Sequence, residues 1–280
     1  MSDIEDMNKL TLILADIHHK VDWADKIIKH IGADRVIALG DAYDDFNDTP
    51  EMVGHTCEWF VDFVNNPNHV FLFGNHEQNY AFNYPYLRCS GYAQWKYFII
   101  HDLVPKDVWD KVKWYYWIDN KWLLTHAGLH KTNIPRSISK FRADRPRYIK
   151  EISNYLDHHT QEGIRLAATG QGSWALNAGH ARYGSQKVGG ITWCDHREEF
   201  KPVKGLWQIY GHTPQQGEPS WWIEKSNKLE LVPSSKFQFN TDKISSSADD
   251  SYNLCMDVHG NLHYAVWDGK SLSIGSYRDL

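Results

Sequence analysis

The chain has 280 residues, of which 42% are hydrophobic, enough for a real core, so wholesale disorder is excluded. A formal net charge of -5 argues against a general nucleic-acid or membrane-surface binder, since both normally show a basic excess. No apolar run approaches the roughly 20 residues that a membrane span needs.

In chain order, the first ten residues (MSDIEDMNKL) are acidic and polar, the opposite of a secretory signal. Thr11–Ala15 is a short apolar run ending in Asp16-Ile17-His18, and Val36–Leu39 runs into Gly40-Asp41. Val70–Phe73 runs into Gly74-Asn75-His76-Glu77. Such runs, rich in β-branched and aromatic residues, predict buried strands. A helix with Ile27, Ile28 and Ile31 facing inward and Gly32 at its end is expected between the first two strands. Thr49-Pro50 predicts a capped helix start between the second and third. Alternating strands and helices predict right-handed βαβ units and a mostly parallel sheet. Trp122–Thr125 before His126-Ala127-Gly128 and Leu206–Tyr210 before Gly211-His212 repeat the strand-then-turn unit. Residues 130–190 read as a mainly helical insertion near the mouth of the site, within a single domain spanning 1–280. Beyond residue 219 come five short β segments: 221–223, 229–232, 254–258, 263–267 and 272–274. Turns at His259-Gly260-Asn261 and Asp268-Gly269 suit hairpins, and residues 241–251 predict a mobile polar loop. The expected architecture is α/β, a two-sheet β-sandwich flanked by helices.

Cys57, Cys89, Cys194 and Cys255 are scattered and form no C-x-x-C pair. They are expected to be reduced, buried small hydrophobes, which fits a cytoplasmic setting.

Five apolar strands each end in a residue able to bind a metal, and in open α/β sheets functional groups gather beyond the carboxyl ends of strands. Asp16, His18, Asp41, Asn75, His126 and His212 are therefore expected to converge. Imidazole, carboxylate and amide donors without thiolate suit Mn, Fe or Zn better than Ca. A lone Asp-x-His or Gly-Asp is common by chance, and His126 or His212 alone would be an ordinary strand-end histidine. The ordered conjunction is what carries the reading.

Asp16-x-His18, Gly40-Asp41-x-x-Asp44, Gly74-Asn75-His76-Glu77, His126-Ala127-Gly128 and Gly211-His212-Thr213 resemble the ordered motifs of the calcineurin-like metallophosphoesterases. Gly211-His212-Thr213-Pro214 is most similar to the bacterial and bacteriophage serine/threonine protein phosphatases. The resemblance implies the metallo-dependent phosphatase fold and two divalent ions, with manganese first and iron or zinc as alternatives. It places Asp16 and His18 on the first ion, Asn75, His126 and His212 on the second, and Asp41 between them. Pro214 stands where some relatives carry another histidine, which implies an open, water-filled side on the first ion. A water primed between the ions would attack phosphorus, with His76 as proton donor to the leaving group and Asp44 orienting that imidazole.

The resemblance breaks in places. Asp45 and Phe73 stand where protein phosphatases carry phosphate-binding arginines, and His19 replaces a glycine. Arg197, in Trp193-Cys194-Asp195-His196-Arg197, is the first candidate for a replacement, with Arg182 and Arg88 behind it. The stretch from Lys131 to Lys150 (Arg136, Lys140, Arg142, Arg145, Arg147) is a candidate attracting field or a solvated helix face. The 13 tryptophans are read mainly as core, with a stacking wall for a base as the alternative. The expected substrate is a phosphorylated molecule, phosphoprotein or nucleotide. Hydrolysis of phosphate monoesters leads, a nucleotide-directed phosphoesterase is the alternative, and a catalytically silent binding module of the same fold comes third.

Overall fold

The computed structural model describes residues 9–244 and 247–280. Most of the polar N-terminal segment and two serines of the expected mobile loop, 245 and 246, lie outside them. Twelve strands are described: β1 (Thr11–Leu14), β2 (Arg35–Ala38), β3 (His69–Phe71), β4 (Tyr116–Ile118), β5 (Trp122–Leu124), β6 (Trp207–Tyr210), β7 (Ser220–Lys225), β8 (Lys228–Pro233), β9 (Phe239–Asn240), β10 (Ser251–Cys255), β11 (His263–Trp267) and β12 (Ser271–Ser276). They form two six-stranded mixed sheets, ordered β3-β2-β1-β11-β12-β9 and β4-β5-β6-β10-β7-β8. In the first, β1, β2 and β3 run parallel, with Leu14 level with Ala38 and Ala38 level with Phe71. In the second, β5, β6 and β10 run parallel, with Leu124, Ile209 and Leu254 level. The parallel strands of both sheets thus bring their carboxyl ends to one side.

Helices α1 (Val21–Ile31), α2 (Pro50–Asn65), α3 (Asn75–Phe82), α4 (Gln94–Leu103) and α5 (Lys106–Trp109) come from the βα crossovers of the first sheet and the chain that follows β3. α1 buries Val21, Ala24 and Ile27, packs Ile28 and Ile31 against the core, and ends at Gly32, whose N–H donates to the Ile28 carbonyl. The Thr49 side chain accepts from the Met52 N–H, and Pro50 opens α2, as the cap signature predicts. Between β5 and β6 lie the short α6 (Arg136–Ser139), the 24-residue α7 (Arg145–Ala168) and an irregular segment reaching to β6. Among the described residues, no helix is long and apolar enough to cross a membrane.

The sheets are joined by aromatic packing. Trp122 of β5 lies 5.9 Å from the Trp267 ring of β11 and 4.6 Å from Phe239 of β9. Trp122, Trp221 and Trp267 are all fully buried, so core packing accounts for them. Truncating one such side chain to alanine costs about 3–5 kcal/mol.

Candidate active site

Each parallel strand hands its chain to the site within two to four residues. Asp16 follows β1, Asp41 follows β2, Asn75 opens α3 after β3, His126 follows β5 and His212 follows β6. The chain turns sharply there: His18, Asp41, Asp44 and His212 have positive φ of 43°, 51°, 69° and 68°. Non-glycine residues adopt that region rarely, and such backbone persists where surrounding contacts hold it, as they do here. Glu77, fully buried, accepts from the backbone N–H groups of Asp41, Ala42 and Gly74 at 2.7, 2.7 and 2.9 Å. Gly74 is required for this junction, since a Cβ there would lie 2.0 Å from Asp41 Oδ1.

The six expected ligands converge in two groups that share Asp41. One set of ligand atoms comes from Asp16, His18 and Asp41, the other from Asp41, His126 and His212. In the second group His126 Nε2 lies 3.0 Å from Asn75 Oδ1, 3.2 Å from His212 Nδ1 and 3.2 Å from Asp41 Oδ2. His212 Nδ1 is 2.9 Å from Asn75 Oδ1. Donor atoms bonded to one divalent ion at about 2.0–2.2 Å stand roughly 3 Å apart, so this spacing fits a shared ion. Hydrogen-bonding partners behind the ligands aim them. His126 Nδ1 donates to the Leu39 carbonyl at 2.9 Å and His18 Nδ1 to the Asp44 carbonyl at 2.6 Å, which leaves each Nε2 lone pair facing inward. The Asp16 carboxylate accepts from the His212 N–H.

The electrostatics also call for cations. Burial, with Asp257 next, raises the Asp16 carboxyl well above its usual range. Burial, helped by Asp41, raises Asp257 to about 6 and Glu77 to about 7. Burial lowers His18 to about 4 and, with repulsion from His126 and Arg182, takes His212 well below the histidine range. For His126 burial is outweighed by Asp41 and Asp16, which lift it to about 9, so a proton occupies the place of positive charge. His212 Nε2 is buried without a hydrogen-bond partner. Crowded carboxylates, inward-facing imidazole nitrogens and an amide oxygen are the donor set of a hard or borderline divalent pair, with the His126 proton standing where an ion would. The residues fit the metals that the sequence implies.

His76 stands beside this cluster. Its Nδ1 donates to Asp44 Oδ2 at 2.8 Å, and its side chain is 14% exposed, open to an incoming molecule. Burial would lower this imidazole, but Cys89, Asp41 and Asp44 together outweigh it and hold the ring protonated well above the usual range. Asp44 is buried and not a solvated loop acid: its Oδ1 accepts from Tyr80 Oη and Lys96 Nζ, both at 2.6 Å. Lys96 also pairs with Asp48. His19 does not crowd the first loop; its Nδ1 is 2.7 Å from Thr56 Oγ1 and its Nε2 is 3.3 Å from Asp48, which ties the loop to α2.

The cation candidates are rearranged. Arg197 is exposed, and its backbone N–H donates to Asp195. Arg182 forms an ion pair with Asp195 Oδ2 at 2.8 Å, keeps a buried Nη2 without a hydrogen-bond partner, and sends its field to His212 and Asp257. Lys20, two residues beyond His18, is half-buried and feels Asp45, Asp257 and Asp16. Phe73 packs 4.3 Å from the Trp114 ring, so an arginine there would be buried among aromatics. Of the candidate cations in 131–150, Arg145 lies at the other end of the strands. Arg145 donates to the carbonyls of Asn120, Lys121 and Gly205, which precede β5 and β6, whereas His126 and His212 follow them. Arg142 pairs with Asp249, and Arg147 covers the Phe141 ring. Arg88 donates to Asn83.

Sequence reasoning missed Glu77, Lys20, Lys96 and Asp257. Asp257 had a signal, being a carboxylate just past an apolar strand, the rule that found the others. Cys89 departs from expectation: Cys57, Cys194 and Cys255 are buried, but Cys89 is half-buried with Sγ 3.5 Å from His76 Nδ1.

The chain belongs to the calcineurin-like phosphoesterases, whose family model matches residues 10–216. It is a metal-dependent phosphoesterase, a hydrolase acting on ester bonds. Solved structures with a similar fold include a candidate diadenosine tetraphosphatase (13% identity, 96% of this chain and 94% of that one, TM-score 0.45). Others are a metallophosphoesterase from Sphaerobacter thermophilus (13%, 95% and 87%, 0.45) and a protein serine/threonine phosphatase from Saccharomyces cerevisiae (11%, 98% and 81%, 0.45). Comparison with curated proteins yields no match.

Proposed function

We propose that this enzyme hydrolyses phosphate monoesters with a protein-phosphatase-like site, using two divalent ions, manganese first. The observation that carries the reading is His76, paired with Asp44 at 2.8 Å and set beside two ligand groups that share Asp41. When bound, the ions supply the charge that acidifies an attacking water and neutralises the phosphoryl oxygens. Asp16 and His18 would hold one ion, Asn75, His126 and His212 the other, and Asp41 would serve both. Asp44 holds the His76 ring in place and keeps it cationic, so Nε2 delivers a proton to the departing ester oxygen. Arg182 and Lys20 replace the family's arginine pair. Arg182, whose field reaches His212 and whose buried Nη2 has no hydrogen-bond partner, is the cation assigned to the phosphoryl oxygens, and the terminal phosphate of a monoester carries the most charge to meet it. Four free thiols suit a cytoplasmic setting.

A nucleotide-directed reading has its own support. Phe46, two residues past Asp44, and Tyr183, next to Arg182, are large aromatics that are fully exposed, and such rings near a phosphate site can stack on a base. Initial rates on a phosphopeptide, diadenosine tetraphosphate and a phosphodiester, all with manganese, separate the readings. Preference for the phosphopeptide is expected. A higher kcat/KM on the dinucleotide that falls in Phe46→Ala or Tyr183→Ala would replace it with the second reading.

A further inference from the structure

Cys89 is a half-buried thiol beside His76 that the phosphoesterase reading leaves without a task. The segment that carries it lies directly on Asp44: Gly91 has φ +94°, and a Cβ there would stand 2.9 Å from Asp44 Cβ. Asn79 fixes the turn, accepting the Cys89 N–H at Oδ1 and donating to Sγ through Nδ2, both within 2.9 Å. Sγ therefore rests 3.5 Å from His76 Nδ1, and Nδ1 lies 2.8 Å from Asp44 Oδ2. All three donor atoms fall within 4.8 Å of one another. Tyr80 and Lys96 occupy only the other oxygen of Asp44, so Oδ2 is aimed at the ring.

We propose that Asp44, His76 and Cys89 form a third cation site, separate from the catalytic pair, that takes zinc and switches the enzyme off. A sulfur at about 2.3 Å and an imidazole nitrogen at about 2.0 Å from a tetrahedral zinc stand roughly 3.5 Å apart, the separation already present. The nitrogen-to-oxygen distance has to open by only about half an ångström. Water fills the fourth position. Thiolate selects zinc over manganese, and the main cluster has no sulfur ligand, so the two sites differ in the ion they prefer. Bound through Nδ1, the His76 ring loses its 2.8 Å contact with the Asp44 oxygen that oriented it, so it is no longer held for the leaving group. The inhibition rests on the reading of His76 as proton donor, whereas the binding does not.

The test uses the whole manganese-loaded enzyme titrated with Zn2+, with each protein scaled to its own starting rate. Wild type is expected to lose turnover as one further equivalent binds, and Cys89→Ser to need about 10–100-fold more zinc. Added Co2+ is expected to give a thiolate-to-metal charge-transfer band in wild type and none in Cys89→Ser. The other three thiols are buried, so the band reports Cys89. Blocking the accessible thiol of wild type with an alkylating reagent provides the same comparison without a new variant. Equal zinc inhibition in both proteins, or no thiolate band in wild type, overturns the site. A band without loss of turnover keeps the binding site and overturns the role of His76 as the acid.

Discussion

At the carboxyl ends of the parallel strands, Asp16, Asp41 and Asp257 crowd around His18, His126 and His212, and much of this charge has no counter-ion in the chain. At the opposite ends of β5 and β6, Arg145 is spent on three backbone carbonyls and Arg142 on Asp249. Both regions are rich in ionisable groups. The far one is satisfied by its own chain and acts as a clamp between α7 and the second sheet. The near one is left unbalanced, and a site that must receive ions and phosphate has to be. Charge in a sequence therefore says little until the structure shows what has already neutralised it.

The sharpest way to break this comparison is to weaken the shared carboxylate. Asp41→Asn keeps a residue that tolerates positive φ, so the fold is expected to persist. Turnover should fall to background, and metal analysis of the purified protein should show both ions weakened together. Loss of only one ion would show that Asp41 does not serve both groups. Next in size is His76→Asn, expected to lower kcat by about 10²–10⁴-fold while two ions remain bound. Wild-type activity in this variant would remove the histidine from the chemistry.

The two kinds of arginine give the direct contrast. Arg182→Ala is expected to lower kcat/KM by about 10–100-fold, the loss of a charge-assisted hydrogen bond of roughly 1.5–3 kcal/mol, and also to cost some stability because buried Asp195 loses its ion-pair partner. Arg145→Met removes three carbonyl partners and is expected to cost about 1–3 kcal/mol in urea unfolding, with kcat/KM unchanged. If Arg145 altered catalysis and Arg182 altered only stability, the division between the two ends would be wrong.

How much of this was legible follows from range. β1, β2, β3, β5 and β6 were readable because each contains a contiguous apolar run, whereas β4 and β9 were not foreseen; the candidate metal cluster was readable because one rule, a ligand just past a strand, places Asp16, Asp41, Asn75, His126 and His212. The pairing of the cations was not. Arg182 is defined by Asp195, thirteen residues on, and Lys96 by Asp44, which lies 52 residues earlier. Arg145 is satisfied by backbone carbonyls, which leave no trace in side-chain patterns. The left-handed turns at Asp41 and His212 were equally hidden, since neither aspartate nor histidine announces a positive φ as glycine does.

The smallest effect near neutrality separates an imidazole that supports the wall from those in the proposed ligand groups. His196 is buried between Tyr210 Oη at 2.9 Å and Ser220 Oγ at 3.0 Å, and burial lowers it from 6.5 to about 3. It is neutral in the fold, whereas the unfolded chain protonates it below about pH 6.5. The folded state therefore binds fewer protons than the unfolded one between pH 6.5 and 3. Stability is full above that window and falls by up to about 1.4 kcal/mol per pH unit as the solution is acidified through it. At pH 6 the loss is only about 0.8 kcal/mol. His196→Gln keeps polar partners for both neighbours and has nothing to protonate, so its stability curve should be flatter than wild type by that slope. Parallel curves for the two proteins between pH 6.5 and 5 would show that the acid sensitivity of the fold comes from the ligand histidines instead.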